Sequence, residues 1–297
     1  MNEEKLKLVL AYDGSPASRR ATELIAGYRG APGVLEVAVV NVQTRPPALW
    51  PGAGLDPAAL DAALAQAGKS ELAPALERLA QAGIAAHGEV RFGLPAQALL
   101  DDARALGAQA IVMGTRGRGA VHGFAFGSAA MRVAHGGVAP ALIVGPECAL
   151  PRALGERLRV LCAVDGSEPA LRAVERLLAW RAWLGELEVQ LAHVQAPLTL
   201  LEKMLPPHED ALAQWRGDEG ARATQAARAM LEGAGVAHEL HLLSGEPAGE
   251  LLRLARSAQC ELLVLGTRGR GAAHHALVGS VALKAAASSP VPSLLVA

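Results

Sequence analysis

The chain has 297 residues and a mass of 30.6 kDa, which fits two domains of about 150 residues better than one small one. Hydrophobic residues make up 51% and charged residues 19%, which excludes a disordered polymer, and a net charge of -1 supplies no field to recruit nucleic acid or an anionic membrane. Aromatics at 3% exclude rows of stacking platforms for single-stranded nucleic acid.

No run approaches the roughly 18 apolar residues of a bilayer span. The acidic start MNEEKLKLVL leads into strand-like sequence and lacks signal-peptide character. Cys148, Cys162 and Cys260 form neither a close pair nor a metal spacing, so a reducing cytoplasm is the expected location. Asparagine occurs only at Asn2 and Asn41, a thermophile-leaning composition that a biased genome would equally produce.

In chain order, the apolar run at 6–12 predicts a strand closed by the turn Asp13-Gly14-Ser15. A helix follows over 16–28, with serine and aspartate near its start suited to capping. VLEVAVVNV at 34–42 predicts the second strand. A loose Pro- and Gly-rich excursion at 45–57 then leads into helix-rich sequence to about Ala82. The third strand is expected over 85–92. An amphipathic helix follows at 95–107, with Ala98, Leu99, Asp102, Ala103 and Leu106 on one face. A fourth strand at 108–114, a helix at 128–136 and a fifth strand at 139–145 complete the half.

This order then repeats. AYDGS at 11–15 returns as AVDGS at 163–167, GTRGRGA at 114–120 returns unchanged at 266–272, and GSAA at 127–130 returns as GSVA at 279–282. Each pair is separated by 152 residues, so the halves share a core of equal length. The organisation read from this is a domain over 1–147, a proline-bearing linker over 148–157 and a second domain over 158–297. Strands that are almost wholly apolar and alternate with helices indicate parallel sheets covered on both faces. The expected fold is therefore two tandem, doubly wound, Rossmann-like α/β domains with parallel five-stranded sheets.

In such sheets ligands bind beyond the carboxyl ends of the strands, where strand order reverses. Two turn-rich loops leave strands there in each half. Gly114 and Gly117 allow backbone N–H groups to approach an anion, and Arg116 and Arg118 supply positive charge. Gly127 and Ser128 open a helix whose N-terminus adds unpaired N–H groups and a hydroxyl. Gly266, Arg268, Gly269, Arg270, Gly279 and Ser280 repeat the arrangement. Asp13 and Asp165, at strand ends, suit a ribose hydroxyl or an adenine amine, and equally suit plain turn residues. The arginines equally suit a solvated surface. Anion geometry explains the whole G-x2-G-x9-G-S spacing together, which the isolated glycine string does not.

These residues resemble the universal stress protein family in its tandem form, over nearly the whole chain outside the linker. Its G-x2-G-x9-G-S/T signature, which marks the ATP-binding branch, is met by Gly114, Gly117, Gly127 and Ser128, and again by Gly266, Gly269, Gly279 and Ser280. The resemblance implies an adenine nucleotide α-hydrolase-like fold. It implies ATP or ADP as ligand, with Mg2+ carried by the nucleotide. It assigns Asp13 and Asp165 to the adenosine part, and Val42 and Val194 to the position whose backbone reads the adenine edge. Met113 and Leu265, just before the glycine loops, join the candidate contacts. The family usually has His-Val after the second strand. His193-Val194 keeps that pattern and Asn41-Val42 departs from it, while Ala130 and Ala282 replace a frequent threonine. The resemblance also implies an intrachain pseudo-dimer through the last strands, and allows a homodimer of such chains.

A phosphotransferase needs more than a phosphate cradle. There is no G-x4-G-K-[ST], and neither glycine loop contains a lysine or a carboxylate. His122, His274 and His275 in those loops read as solvated, and His135, His193 and His238 as packing or strand-end residues. Cys162 and Cys260 have no identifiable base. The expected function is thus a nucleotide-dependent stress-response regulator with slow or no hydrolysis, acting on an unknown protein partner, with no catalytic residue and no side-chain metal site. Segments 44–70 and 196–222, with Trp50 and Trp215, are the expected moving flaps, or a mere cover for the core. A scaffold with empty sites is the alternative. An enzyme acting on an adenylated substrate rests on fold analogy alone.

Overall fold

The computed structural model describes residues 5–45, 57–117, 126–195, 209–269 and 278–297. The chain divides into two compact units, Met1–Glu147 and Cys148–Ala297.

In the first unit strands and helices alternate as β1 (Leu6–Ala11), α1 (Pro16–Ala26), β2 (Leu35–Gln43), α2 (Pro57–Gln81), β3 (Ala85–Phe92), α3 (Pro95–Leu106), β4 (Ala110–Gly114), α4 (Ser128–Gly136) and β5 (Ala141–Val144). The strands form a parallel sheet in the order β3-β2-β1-β4-β5, with Leu8 opposite Val37 on one side and Ala110 on the other. The central strands read as unbroken apolar runs because both faces are covered. Val9, Leu10, Val37, Val39, Ile111 and Val112 are fully or almost fully buried. Burying each such side chain contributes about 1.5–3 kcal/mol, so these strands are the framework on which the loops rest.

The second unit contains β6 (Arg157–Ala163), α5 (Glu168–Ala179), α6 (Arg181–Leu184), β7 (Glu186–Gln195), α7 (Glu209–Gly233), β8 (Ala237–Ser244), α8 (Pro247–Ser257), β9 (Leu262–Gly266), α9 (Ser280–Ser288) and β10 (Ser293–Val296). Its parallel order, β8-β7-β6-β9-β10, repeats that of the first. The stretch expected as a linker is tied to this unit. Cys148 is buried, and the Ala149 N–H donates to the Pro290 carbonyl at 2.7 Å. The short α6 was not expected; buried Trp180 precedes it and Gly185, at φ 86°, turns the chain into β7.

The long helices cover the sheets with narrow stripes. Leu72, Ala75 and Leu79 recur at helical spacing along α2, and Pro74 is tolerated there because it lies on the exposed side. Ala223, Ala227 and Leu231 do the same on α7. Residues 57–70 and 209–222 of the expected flaps are therefore helical, and 46–56 with Trp50, 196–208 and the side chain of Trp215 lie outside the described residues. On α3 the buried face is Ala96, Leu99, Leu100, Asp102 and Ala103, while Ala98 and Leu106 are only half-buried. Asp102 is tolerated there because its carboxylate accepts from Arg91 Nε at 2.8 Å.

The repeated α3 and α8 close alike. The Ala108 N–H donates to the Ala103 carbonyl and the Cys260 N–H to the Ala255 carbonyl, both at 2.9 Å. This closure needs a left-handed residue, supplied by Gly107 at φ 61° in the first unit and by Gln259 at φ 52° in the second. Gln259 is the only non-glycine with positive φ among the described residues. A side chain in that region costs about 1 kcal/mol. Gln259→Gly is expected to raise the Tm of the second unit by about 2–4 °C, read by differential scanning calorimetry.

Candidate functional site

The strand order reverses between β1 and β4, and between β6 and β9, so a crevice opens at the carboxyl ends of each pair. In the first unit a cavity of about 470 Å³ lies there, lined by Asp13, Val42, Met113, Gly114, Arg116, Gly117, Gly127 and Ser128 among others. In the second, a cavity of about 270 Å³ is lined by Asp165, Val194, Leu265, Gly266, Arg268, Gly269, Gly279 and Ser280. The candidate residues read from the sequence are thus brought together, unit by unit. Arg118, Arg270, His122, His274 and His275 lie outside the described residues.

The Asp-Gly-Ser turn is built by its own side chain. Asp13 Oδ1 accepts the Ser15 N–H at 3.1 Å and Asp165 Oδ1 accepts the Ser167 N–H at 3.0 Å. Gly14 and Gly166 complete the turns at φ 71° and 75°, where a β-carbon would be strained. In α1, Ser15 caps the helix through the Ser18 N–H at 3.2 Å. Across the crevice, the Ser15 and Ser167 hydroxyls donate to the Arg116 and Arg268 carbonyls, both at 3.4 Å.

Close approach explains the glycines of the second loop. A β-carbon on Gly117 would lie 2.5 Å from Asp13 Oδ2, and one on Gly269 would lie 2.5 Å from Asp165 Oδ2. At Gly114 it would meet Ala17 Cβ at 2.6 Å, and at Gly266 the Ala170 nitrogen at 2.7 Å, so strand and helix meet only without side chains there. Each loop is closed at its far end, with the Gly127 N–H donating to the Thr115 carbonyl at 2.8 Å and the Gly279 N–H to the Thr267 carbonyl at 2.7 Å. Thr115 and Thr267 are buried, and sequence reasoning had not assigned them, although their identity in both GTRG copies was the available signal.

Helices α4 and α9 start at Gly127 and Gly279 with no side-chain cap. Their first-turn N–H groups therefore retain an anion-binding character at the cavity wall. Arg116 and Arg268 are exposed at its mouth.

The two sites differ where the second strand ends. Asn41 Nδ2 donates to the Tyr12 carbonyl and to Glu71 Oε2, both at 2.9 Å, while Gln43 Nε2 donates to Asn41 Oδ1 at 2.7 Å. In the second unit His193 Nδ1 faces the equivalent Val164 carbonyl at 2.9 Å, which requires the ring proton on Nδ1 and leaves buried Nε2 without a partner. Asn41 therefore replaces histidine in the same hydrogen bond. Glu71, which lines the first cavity, comes from the middle of α2 and carried no signal in the sequence.

All three cysteines are buried, and none is in a disulfide. Burial pushes the Cys162 thiol up to about 12 and the Cys260 thiol up to about 11, which keeps both protonated and weakly nucleophilic at neutral pH. Among the described residues no cluster of His, Cys, Asp or Glu is arranged to hold a metal ion, and no helix is long and apolar enough to cross a membrane.

This architecture, a doubly wound sheet with a glycine-lined crevice at the order reversal, defines a class of small Rossmann-like α/β domains. The family model for the universal stress protein family matches residues 6–145 and again 156–297, and the chain belongs to that family as a tandem member. A universal stress protein of Thermus aquaticus is 37% identical over 138 residues, covering 46% of this chain and 96% of that protein. One from Mycolicibacterium smegmatis is 29% identical over 220 residues, covering 72% of this chain and 69% of its own. The crystal structure of a universal stress protein from Archaeoglobus fulgidus shares the fold at a TM-score of 0.69 and 20% identity, covering 99% of this chain and 97% of that one.

Native protein at pH 8 is expected to show no thiol reactive toward Ellman's reagent within minutes, and three after denaturation. A fast-reacting thiol in the folded chain would contradict the burial described.

Proposed function

We propose that each unit binds an adenine nucleotide, ATP or ADP, in the crevice at the carboxyl ends of its strands. The observation that carries this reading is the contact of the Asp13 and Asp165 carboxylates with Gly117 and Gly269. It keeps the backbone at Gly117 and Gly269 without a side chain, in a crevice also lined by a helix N-terminus that has no side-chain cap, twice. The loops from Gly114 to Gly127 and from Gly266 to Gly279 would hold the phosphates through backbone N–H groups, aided by Arg116, Arg268, Ser128 and Ser280. Asp13 and Asp165 would face the ribose or adenine, and the backbone at Val42 and Val194 the adenine edge. Magnesium would arrive on the phosphates.

The nucleotide supplies a phosphate chain whose presence or absence is the signal. The protein would then act as a cytoplasmic regulator whose nucleotide occupancy sets its contacts with a protein partner. This requires that the nucleotide bind one conformation better than another. Hydrolysis would be slow or absent: neither glycine loop carries a lysine or a carboxylate to assist it.

Calorimetric titration of ATP with magnesium into nucleotide-stripped protein is expected to give two equivalents per chain. Gly117→Ala and Gly269→Ala, which push a methyl group against an aspartate oxygen, are each expected to remove one equivalent or weaken it at least about tenfold, roughly 1.4 kcal/mol. A folded chain that takes up no nucleotide would overturn the proposal.

A further inference from the structure

A second kind of cavity, of about 570 Å³, lies in the second unit at the opposite end of the sheet from the crevice. Its walls come from the stretch before β6, the first residues of β6, the end of α8 with the turn after it, and Pro290–Val291 before β10. Four arginines line it, Arg152, Arg157, Arg159 and Arg256, with one carboxylate, Glu261.

The charges there are unevenly paired. Arg157 and Arg159 both donate from Nη2 to the same oxygen, Glu188 Oε2, at 3.0 Å. Those hydrogen bonds, from Arg159 first, hold the Glu188 carboxyl below its ordinary range. Glu261 is occupied by backbone donors, its two oxygens accepting the Arg152 and Arg159 N–H groups at 3.1 and 3.2 Å. Among the described residues, no ion pair engages the guanidinium of Arg152 or Arg256. Arg159 gives Nη1 to the Ala258 carbonyl at 3.2 Å, and its buried Nε–H has no acceptor. A buried donor left unpaired costs about 1–3 kcal/mol.

The repeat supplies an internal control. At the positions equivalent to Arg157, Arg159 and Glu261 the first unit has Lys5, Lys7 and Gln109. The Gln109 side chain accepts the Lys7 N–H at 2.7 Å just as Glu261 accepts the Arg159 N–H. The backbone framework is therefore shared, and Arg104 stands at the position of Arg256, while the guanidinium groups of Arg157 and Arg159 are replaced by lysine ammonium groups in the first unit. Lysine is a point charge, whereas arginine presents a fork matched to two oxygens of one phosphate. The left-handed Gln259 also lines this cavity, where the first unit has Gly107. The strain is thus retained at this wall and absent from its counterpart.

We propose that this cavity binds a small polyanion of the phosphate class, held by Arg152 and Arg256 with the charges of Arg157 and Arg159 beside them, separately from the crevice of the same unit. Pyrophosphate is the probe. In calorimetric titrations of the full chain, Arg152→Gln combined with Arg256→Gln is expected to weaken one pyrophosphate site per chain at least tenfold. Both arginines lie away from the cores of the sheets, and an unchanged melting temperature confirms that the variant is folded. The combination Arg116→Gln with Arg268→Gln, at the two crevices, is expected to leave that site intact. Absence of pyrophosphate binding, equal binding by the Arg152/Arg256 variant, or loss of all binding in the Arg116/Arg268 variant would each overturn the proposal.

Discussion

Parallel strands whose onward connections leave for opposite faces of the sheet cannot have a connection crossing between them. A crevice at their carboxyl ends is the result, and its walls are the two loops that depart there. In each unit this constraint sets the Asp-Gly-Ser turn facing the Gly-Thr-Arg-Gly loop, near neighbours in space though about a hundred residues apart in the chain. The contact between aspartate and glycine then decides the local chemistry. Only a residue without a β-carbon lets the carboxylate lie against the backbone at Gly117 and Gly269. The apolar strands beneath hold the two loops in place, since moving either would shift a buried Leu10, Ile111, Leu161 or Leu263.

Duplication makes the molecule its own comparison. What recurs is backbone geometry: the serine-to-carbonyl bonds across the crevice, the loop closures on Thr115 and Thr267, and the helix closures after α3 and α8. What differs is chemistry placed on that geometry. Asn41 and His193 satisfy the same carbonyl position by different groups, and Asn41 also holds a carboxylate, Glu71, at the first cavity. Lysines at one sheet end become arginines at the other, and a left-handed glycine becomes a left-handed glutamine. A sheet core tolerates little change, whereas strand ends and turns accept new side chains at small cost.

Much of the fold was legible because its signals are local. Apolar runs of strand length, the turn residues that follow them and the constant spacing of the repeat locate the described strands to within a few residues. The glycine loops were legible for the same reason, since bare backbone demands glycine at fixed spacing. Other features were not. The turn of helix at Arg181–Leu184 depends on Trp180 finding a buried place, and Asp102 reaches the buried face of α3 only because Arg91 on β3 meets it. The helix over 57–81 follows the helix-rich stretch expected to about Ala82, and Leu72, Ala75 and Leu79, like their counterparts on α7, cover the sheet.

By itself the sequence determined that the chain is two copies of one α/β unit, which residues form its strands, and which glycines and aspartates meet at the carboxyl ends of those strands. These follow from backbone sterics and hydrophobic periodicity, which act between near neighbours. Only the tertiary structure decided that Glu71 joins the first cavity and that Asn41 takes over a histidine's hydrogen bond. It alone gathered four arginines from the stretch before β6, from β6 itself and from α8 around a second cavity. Charges and polar groups that meet across a fold are set by how packed elements bring distant residues together, and no spacing along the chain encodes that distance.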